Sequence, residues 1–489
     1  MQDEIHTETF VENYRSALSN AQLQKALAIA TTKFTLGRGM AVASVGDEWN
    51  LLRERAREIK EHSIANLDHY LGKFAAKIEE LGGRVYWARD ARDANAYITG
   101  LARDRGISLA VKSKSMMTEE IELNHALALA GVEAVETDLG EYIVQLAGER
   151  PSHIIAPAIH KTRGDVADLF SEKLHVERTE EIERMTALAR RVLRQKFATA
   201  GLGVTGANFA VAETGTIVLV ENEGNIRLTT SLPRVHVALM GIEKVIPRLE
   251  DLAVFLRLLP RSASGQKMSS YVSFISGVKT SPIDEGPEEL HVVILDNGRV
   301  DILANEHLRE SLYCIRCGAC LNTCPVYQKI GGHAYGWIYP GPIGALLTPQ
   351  LVGRERAENL PFASSLCGAC REVCPIKINI PDMLLHLRHE IKEDAAARVP
   401  APARASNRLG RRLEALGVKA WRAAMKTRRR YERSARMARL AQSALGNESM
   451  LFNRWTATRD LPPMAPRSFR EEWESRMLGT NNSKDKEVK

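Results

Sequence analysis

Residues 314–325 read CIRCGACLNTCP, and residues 364–375 read SSLCGACREVCP. The first stretch has the spacing C-x2-C-x2-C-x3-C-P. The second repeats it with Ser364 where the first cysteine would stand. Together they hold all seven cysteines of the 489-residue chain: Cys314, Cys317, Cys320, Cys324, Cys367, Cys370 and Cys374. A disulfide framework is dispersed and usually even in number, so this clustering is a metal signature. A lone C-x-x-C is shared with zinc ribbons and redox pairs, whereas two long copies ending in Cys-Pro suit paired iron–sulfur cubanes, whose irons prefer soft thiolates. The small residues Gly318, Ala319, Gly368 and Ala369 let the loop backbone approach and hydrogen-bond the cluster sulfurs.

In two-cluster ferredoxins the fourth cysteine of each run ligates the other cluster. That rule expects Cys314, Cys317, Cys320 and Cys374 around cluster 1, and Cys324, Cys367 and Cys370 around cluster 2. Two [4Fe–4S] clusters want eight thiolates, one more than the chain supplies. Four readings of the Ser364 corner stay open. Ser364, or a nearby histidine or carboxylate, ligates the iron; cluster 2 is [3Fe–4S]; the iron keeps an open, water-filled or partner-completed position; or Ser364 caps a turn with no metal role.

Working outward, residues 1 to about 80 read as helical, with a stop at Gly82-Gly83. The runs RVYWAR, LAVKS, VEAVETD and HIIAPA then read as strands. They alternate with the helical runs DANAYITGLARDRG, MTEEIELNHALALAG and GEYIVQLAG. Such alternation implies a mainly parallel sheet covered by helices. An amphipathic helix is expected over 179–199, and GANFAVAETGTIVLVEN reads as a hairpin turning at Thr214-Gly215. RVHVALMG and HVVILDNGR are further strands, with a Ser- and Gly-rich segment between them. Glycines and prolines between the cysteine motifs exclude long regular elements there. Pro381 opens a helix with Leu384, Leu387 and Ile391 on one face. Residues 395–406 read as a linker.

The domains expected are a helical region 1–69, an α/β domain 70–300, a double-cluster domain 301–395, a basic extension 396–479 and a disordered tail 480–489. No run approaches the ~20 apolar residues that cross a bilayer, and the acidic start MQDEIHTETF lacks the features of a signal peptide. A cytoplasmic protein is expected. The net charge of +7 is local. Residues 408–439 carry twelve Lys and Arg against Glu414 and Glu432, a balance of +10, which leaves about −3 for the rest.

With both motifs on the page, the chain resembles the lactate utilisation protein B family of bacterial iron–sulfur proteins. The resemblance rests on CIRCGACLNTCPVY (314–327), SSLCGACREVCPIKI (364–378) and TGANFAVAETGTIVLVENEGN (205–225), and it covers nearly the whole chain. The absent cysteine at Ser364 belongs to that family pattern. The resemblance implies an N-terminal α/β domain similar to sugar-isomerase and CoA-transferase folds, then an α-helical, ferredoxin-like double-cluster domain and a basic helical extension. It also implies a part in oxidising L-lactate to pyruvate by electron transport, and all seven cysteines as cluster ligands. Two companions are implied, a second iron–sulfur protein and a short version of the α/β domain.

The alternative is that the α/β domain itself binds or transforms a small carboxylate, with the clusters as internal acceptor. Glu213 stands in an E-x-G context like that of the reactive glutamate of CoA-transferases; an exposed turn residue is the plainer reading. Lys112, Ser113, Lys114 and Ser115 sit at an expected strand-to-helix junction where a carboxylate or phosphate could be held, or in a solvated loop. No catalytic residue is assigned. There is no G-x-G-x-x-G after a strand and no P-loop. The arginines of 408–439, with Trp421 and Tyr431, suit a protein partner first, a membrane surface second and nucleic acid last. His333, Tyr335, Trp337 and Tyr339 either cover a cluster or pack the loop, and His125, His153, His160 and His236 lack metal-ligand spacing.

Overall fold

The computed structural model describes residues 5–281, 283–398, 408–445 and 462–484. The chain divides between Asp394 and Ala395 into two compact units.

In the first unit, helices Phe10–Ser19, Ala21–Ala43, Glu48–Ala65 and Leu67–Glu80 precede the first strand. Ten strands follow: β1 (Arg84–Ala88), β2 (Leu109–Lys112), β3 (Glu133–Glu136), β4 (Leu202–Thr205), β5 (Phe209–Val211), β6 (Thr216–Glu221), β7 (Val235–Gly241), β8 (Val245–Ile246), β9 (Tyr271–Ile275) and β10 (Glu289–Leu295). Six form one sheet in the order β1-β10-β7-β4-β2-β3, every pair parallel. Its central strands β4 and β7 are buried along their whole length, as strands covered on both faces must be. The remaining four form a second sheet, β8-β5-β6-β9, in which β5 and β6 are the expected antiparallel hairpin. The helix expected over 179–199 runs Ile182–Thr199 and buries Met185, Ala189, Leu193 and Phe197, one apolar stripe at helical spacing.

Three local expectations are corrected. HIIAPA is not a strand: the His153 ring Nδ1 accepts the N–H groups of Ile155 (3.1 Å) and Ala156 (3.2 Å), and Ser152 N–H bonds Pro157 O at 3.0 Å, which curls the segment into a turn. The inter-motif stretch does hold a regular element, the helix Gly341–Val352. Pro342 lies in its first turn, where no N–H is needed, and Ile343, Ala345, Leu346 and Leu347 are buried around it. The helix expected over 117–131 is two, Met116–Glu120 and Leu123–Leu129, broken where Glu122 turns to φ +54.

Burial fastens the cysteine region to the rest of this unit. Arg38 donates to Val373 O (2.8 Å) and Arg53 to Cys374 O (3.0 Å). Tyr327 Oη donates to Ser152 O at 2.6 Å. Gly332 lies so close to the same carbonyl that an added Cβ would stand 1.8 Å from Ser152 O. Gly332→Ala must therefore part the 150–160 loop from the inter-motif segment, at a cost of roughly 1–3 kcal/mol or more. A lowered melting temperature of the anaerobic protein is the expected result, and an unchanged one contradicts the packing.

The second unit contains helices Arg408–Met425, Arg428–Leu445 and Phe469–Lys484. Arg428 pairs with Glu432 (2.7 Å) and Glu474 (2.9 Å), and Arg436 with Glu471 (3.5 Å), so part of the arginine stripe is satisfied inside this unit. The tail expected to be disordered from 480 is helical through Lys484. Ser468 and Glu471 cap the start of that helix reciprocally (2.7 and 3.3 Å), and once nucleated a helix extends cheaply; 485–489 lie outside the described residues. The expected linker begins inside the helix Ile380–Arg398, and 399–406 lie outside the described residues. Among the described residues no helix is long and apolar enough to cross a membrane.

Candidate metal centre

The two cysteine runs share one backbone course. Arg316 (φ +59) and Leu366 (φ +55) turn left-handed, as do Gly318 (φ +75) and Gly368 (φ +85), and the short helices Ala319–Thr323 and Ala369–Val373 follow. Glycine takes that conformation without a Cβ penalty. Arg316 N–H donates to Cys314 Sγ at 3.4 Å, and the corresponding Leu366 N–H donates to Ser364 Oγ at 3.1 Å. Ser364 thus stands where Cys314 stands in the first run, its oxygen facing the same amide.

Cys314, Cys317, Cys320 and Cys374 line one cavity whose other walls include Ile154, Ile343 and Ile378. Cys370 lies within electrostatic reach of Cys324 and Cys367, and Cys324 within that of Cys367. The fold therefore brings the fourth cysteine of the second run to the first three of the first run, and leaves the other three together. Backbone N–H groups point at the sulfurs: Ile376 and Ile378 at Cys374, Val326 and Tyr327 at Cys324, Ala319 at Cys317.

Burial pushes the thiols of Cys317 and Cys370 up to about 12 and that of Cys374 up to about 11, and raises Cys320 well above the usual range. Thiolates in such a cavity need positive charge beside them, which metal ions supply. Cys367 is exposed, and the Ala369 N–H aimed at its sulfur lowers it. Tyr335 Oη is fully buried and has no hydrogen-bond partner among the described residues, and its neighbours include Cys324 and Cys320. A stranded hydroxyl beside cysteines fits a cluster sulfur as acceptor. The residues present fit iron–sulfur clusters.

A charged network that sequence reasoning missed underlies the first run. Arg299 donates to Glu120 Oε1 (2.8 Å) and Oε2 (2.7 Å) and to Glu243 Oε2 (2.8 Å), and Tyr339 Oη donates to Glu120 Oε2 at 2.7 Å. Arg316 reaches Glu243 at 3.4 Å and lies over the Tyr339 ring at 5.0 Å. Burial opposes the Glu243 carboxylate, but Arg299 and Arg316 hold it down at about 2. No sequence signal could have found these residues, since each is a lone charge in a different segment.

The other expected residues separate. Glu213 is exposed, and its Oε2 accepts Leu249 N–H at 3.0 Å, capping the helix Leu249–Ala263. Lys112 is buried between Glu119 (2.5 Å) and Glu136 (2.7 Å). Lys114 and Ser115 line a cleft that also contains Arg316 and Tyr339. His153 is buried, its Nε2–H donates to Asn322 Oδ1 at 3.1 Å, and burial depresses it to about 3. Trp337 and Tyr339 pack edge to face, with ring centroids 5.5 Å apart. Trp421 and Tyr431 are exposed.

Comparison with known proteins agrees with this layout. Residues 71–295 match the LUD domain, 310–378 a 4Fe-4S dicluster domain, and 386–478 the lactate utilisation protein B C-terminal model. Lactate utilization protein B of Bacillus thuringiensis and lactate utilization protein B 2 of Bacillus mycoides are each 41% identical over 485 residues, covering 98% of this chain and 99% of theirs. A crystal structure of a DUF162 family protein from Deinococcus radiodurans aligns with 47% of this chain and 98% of its own, at 13% identity and a TM-score of 0.25.

Proposed function

The chain belongs to the lactate utilisation protein B family, and on that premise we propose that it is the electron-carrying subunit of a system oxidising L-lactate to pyruvate. The single observation that carries the reading is the cavity at which Cys374 of the second run joins Cys314, Cys317 and Cys320 of the first. Those four residues hold cluster 1; Cys324, Cys367 and Cys370 hold cluster 2. When bound, such clusters supply one-electron sites that can be filled and emptied in turn. The chain's own residues set the environment. Isoleucines 154, 343 and 378 keep water from cluster 1, while Arg38, Arg53 and Arg316 place positive charge beside its cysteines and so favour an added electron there. Exposed Cys367 puts cluster 2 at the surface, where an electron can leave for a companion iron–sulfur protein. A short α/β-domain protein is the other companion, and the assembly works in the cytoplasm, with no nucleic acid; any membrane contact is peripheral, through the basic C-terminal segment. The all-parallel sheet supports an N-terminal domain of the sugar-isomerase and CoA-transferase kind.

Ser364 Oγ closes the fourth corner of cluster 2, a reading supported by its taking the place and the amide of Cys314. Iron and sulfide content with EPR, on protein purified without oxygen, tests both statements. The expected result is about eight irons and two interacting signals after dithionite. About seven irons with a signal in the oxidised protein mean a [3Fe–4S] cluster and no Ser364 ligand. Zinc in place of iron ends the electron-carrying reading.

A further inference from the structure

We propose that the outer face of the helix Ala21–Ala43 docks the protein that receives the electron, a partner presenting carboxylates around an apolar patch. Leu27, Thr31 and Ala41 of this helix are buried. Ile29, Leu36 and Met40 point the other way and are 62%, 63% and 70% exposed. The helix is thus apolar on more than its buried side, and a helix of that kind is normally covered. With Lys25 and Lys33, also exposed, the three apolar residues recur at intervals of three or four and so form one line along the helix.

Charge selects the partner. Residues 13–46 contain Arg15, Lys25, Lys33 and Arg38 and no aspartate or glutamate. Among the described residues neither Lys25 nor Lys33 has a hydrogen bond or ion pair. One carboxylate does reach this helix from another element, Asp165, but it accepts from Gln22 (2.7 Å) and is engaged in the capping box with Thr162. A second copy seated by the same face would place Lys33, midway along the line, against its own counterpart. Residues 408–439, with their balance of +10, offer no complement in charge either. The helix also has no Trp or Tyr, the anchors typical of a lipid-surface helix. An acidic protein surface suits both the lysines and the apolar residues between them.

Position gives the face its use, because the inward side of the helix holds the cysteine runs. Arg38 donates to Val373 O, next to Cys374, at 2.8 Å. Thr35 Oγ1 donates to Asn322 O, two residues before Cys324, at 3.4 Å, and Gln24 Nε2 donates to Lys329 O. One helix, about 10 Å across, therefore lies between both runs and a protein seated on the face. Interfaces of electron-transfer partners are small, which suits a patch of three apolar residues. The partner's role as electron acceptor rests on the reading proposed above; the docking face itself does not.

Biolayer interferometry without oxygen tests the face, with the full-length, cluster-loaded protein immobilised and the companion iron–sulfur protein in solution. Binding is expected, and it should weaken as salt is raised, because exposed charges are screened. Leu36→Glu with Met40→Glu should weaken it at least about tenfold. Lys25→Glu with Lys33→Glu should slow association and flatten the salt dependence. These side chains are exposed, so iron content and melting temperature should stay at the parent values. No binding by protein of full iron content, or binding untouched by Leu36→Glu with Met40→Glu, overturns the docking face. So does another occupant: a doubled mass in solution, or sedimentation with phosphatidylglycerol vesicles, that the same two substitutions abolish. Low iron content with binding intact fails the electron-carrying reading and leaves the face standing.

Discussion

Replacing Arg299 by methionine is expected to lower the stability of the first unit by roughly 3–5 kcal/mol, the usual cost of removing one partner from a buried ion pair. Arg299 is 1% exposed and touches two carboxylates that are themselves fully buried, Glu120 and Glu243. Without the guanidinium, two negative charges stay in the interior. Arg316 at 3.4 Å offsets part of one, and the Tyr339 and Asn297 hydrogen bonds offset part of the other. Methionine fills much of the volume, so the loss is electrostatic rather than a cavity. The measurement is the urea midpoint of the anaerobic protein, followed through the far-ultraviolet circular dichroism. Adding Glu120→Gln to Arg299→Met should recover part of the loss, because a neutral amide leaves less uncompensated charge. A single variant as stable as the parent, or a double variant worse than the sum of the two, would show that the network does not hold the unit together.

The second large effect belongs to Cys374. Cys374→Ser should remove or convert the cluster built on Cys314, Cys317 and Cys320, since a serine oxygen is a harder and poorer ligand for iron than a thiolate. About half of the iron should go, or cluster 1 should appear as a three-iron species in the oxidised protein. The signal of the Cys324, Cys367 and Cys370 set should remain. Should that second signal vanish and the first persist, the crossing of ligands between the two runs is wrong. The fold makes serine sterically harmless here: the smaller side chain keeps the N–H groups of Ile376 and Ile378 beside it. Any loss of iron is therefore a loss of ligand strength.

The cysteine spacing carries its meaning without a fold, because a cluster needs its thiolates at short, set intervals along the chain. Strand–helix alternation carries the α/β class for a similar reason: period and punctuation are local. Strands β1, β2, β3, β7 and β10 stand inside runs whose apolar character marks them. β4, only LGVT, and β9, inside a Ser- and Gly-rich segment, are strands because neighbours supply their hydrogen bonds, β2 and β7 for the one and β6 for the other. HIIAPA has the composition of a strand and becomes a turn because its own histidine ring takes up the amides. The helix Gly341–Val352 forms despite its glycines and prolines because burial outweighs propensity.

By itself, then, the sequence determined the metal chemistry, the parallel-sheet class and the position of the missing thiolate. Those depend on residue type and spacing along the chain. The tertiary structure decided that Cys374 shares a cavity with Cys314, Cys317 and Cys320, that Ser364 stands in the place of Cys314, that Glu213 caps a helix, and that Arg299, Glu120, Glu243 and Arg316 meet in one buried region. Residues more than a hundred positions apart become neighbours only when the core closes. Their charges acquire weight only there, because the low dielectric of the interior strengthens what water would screen.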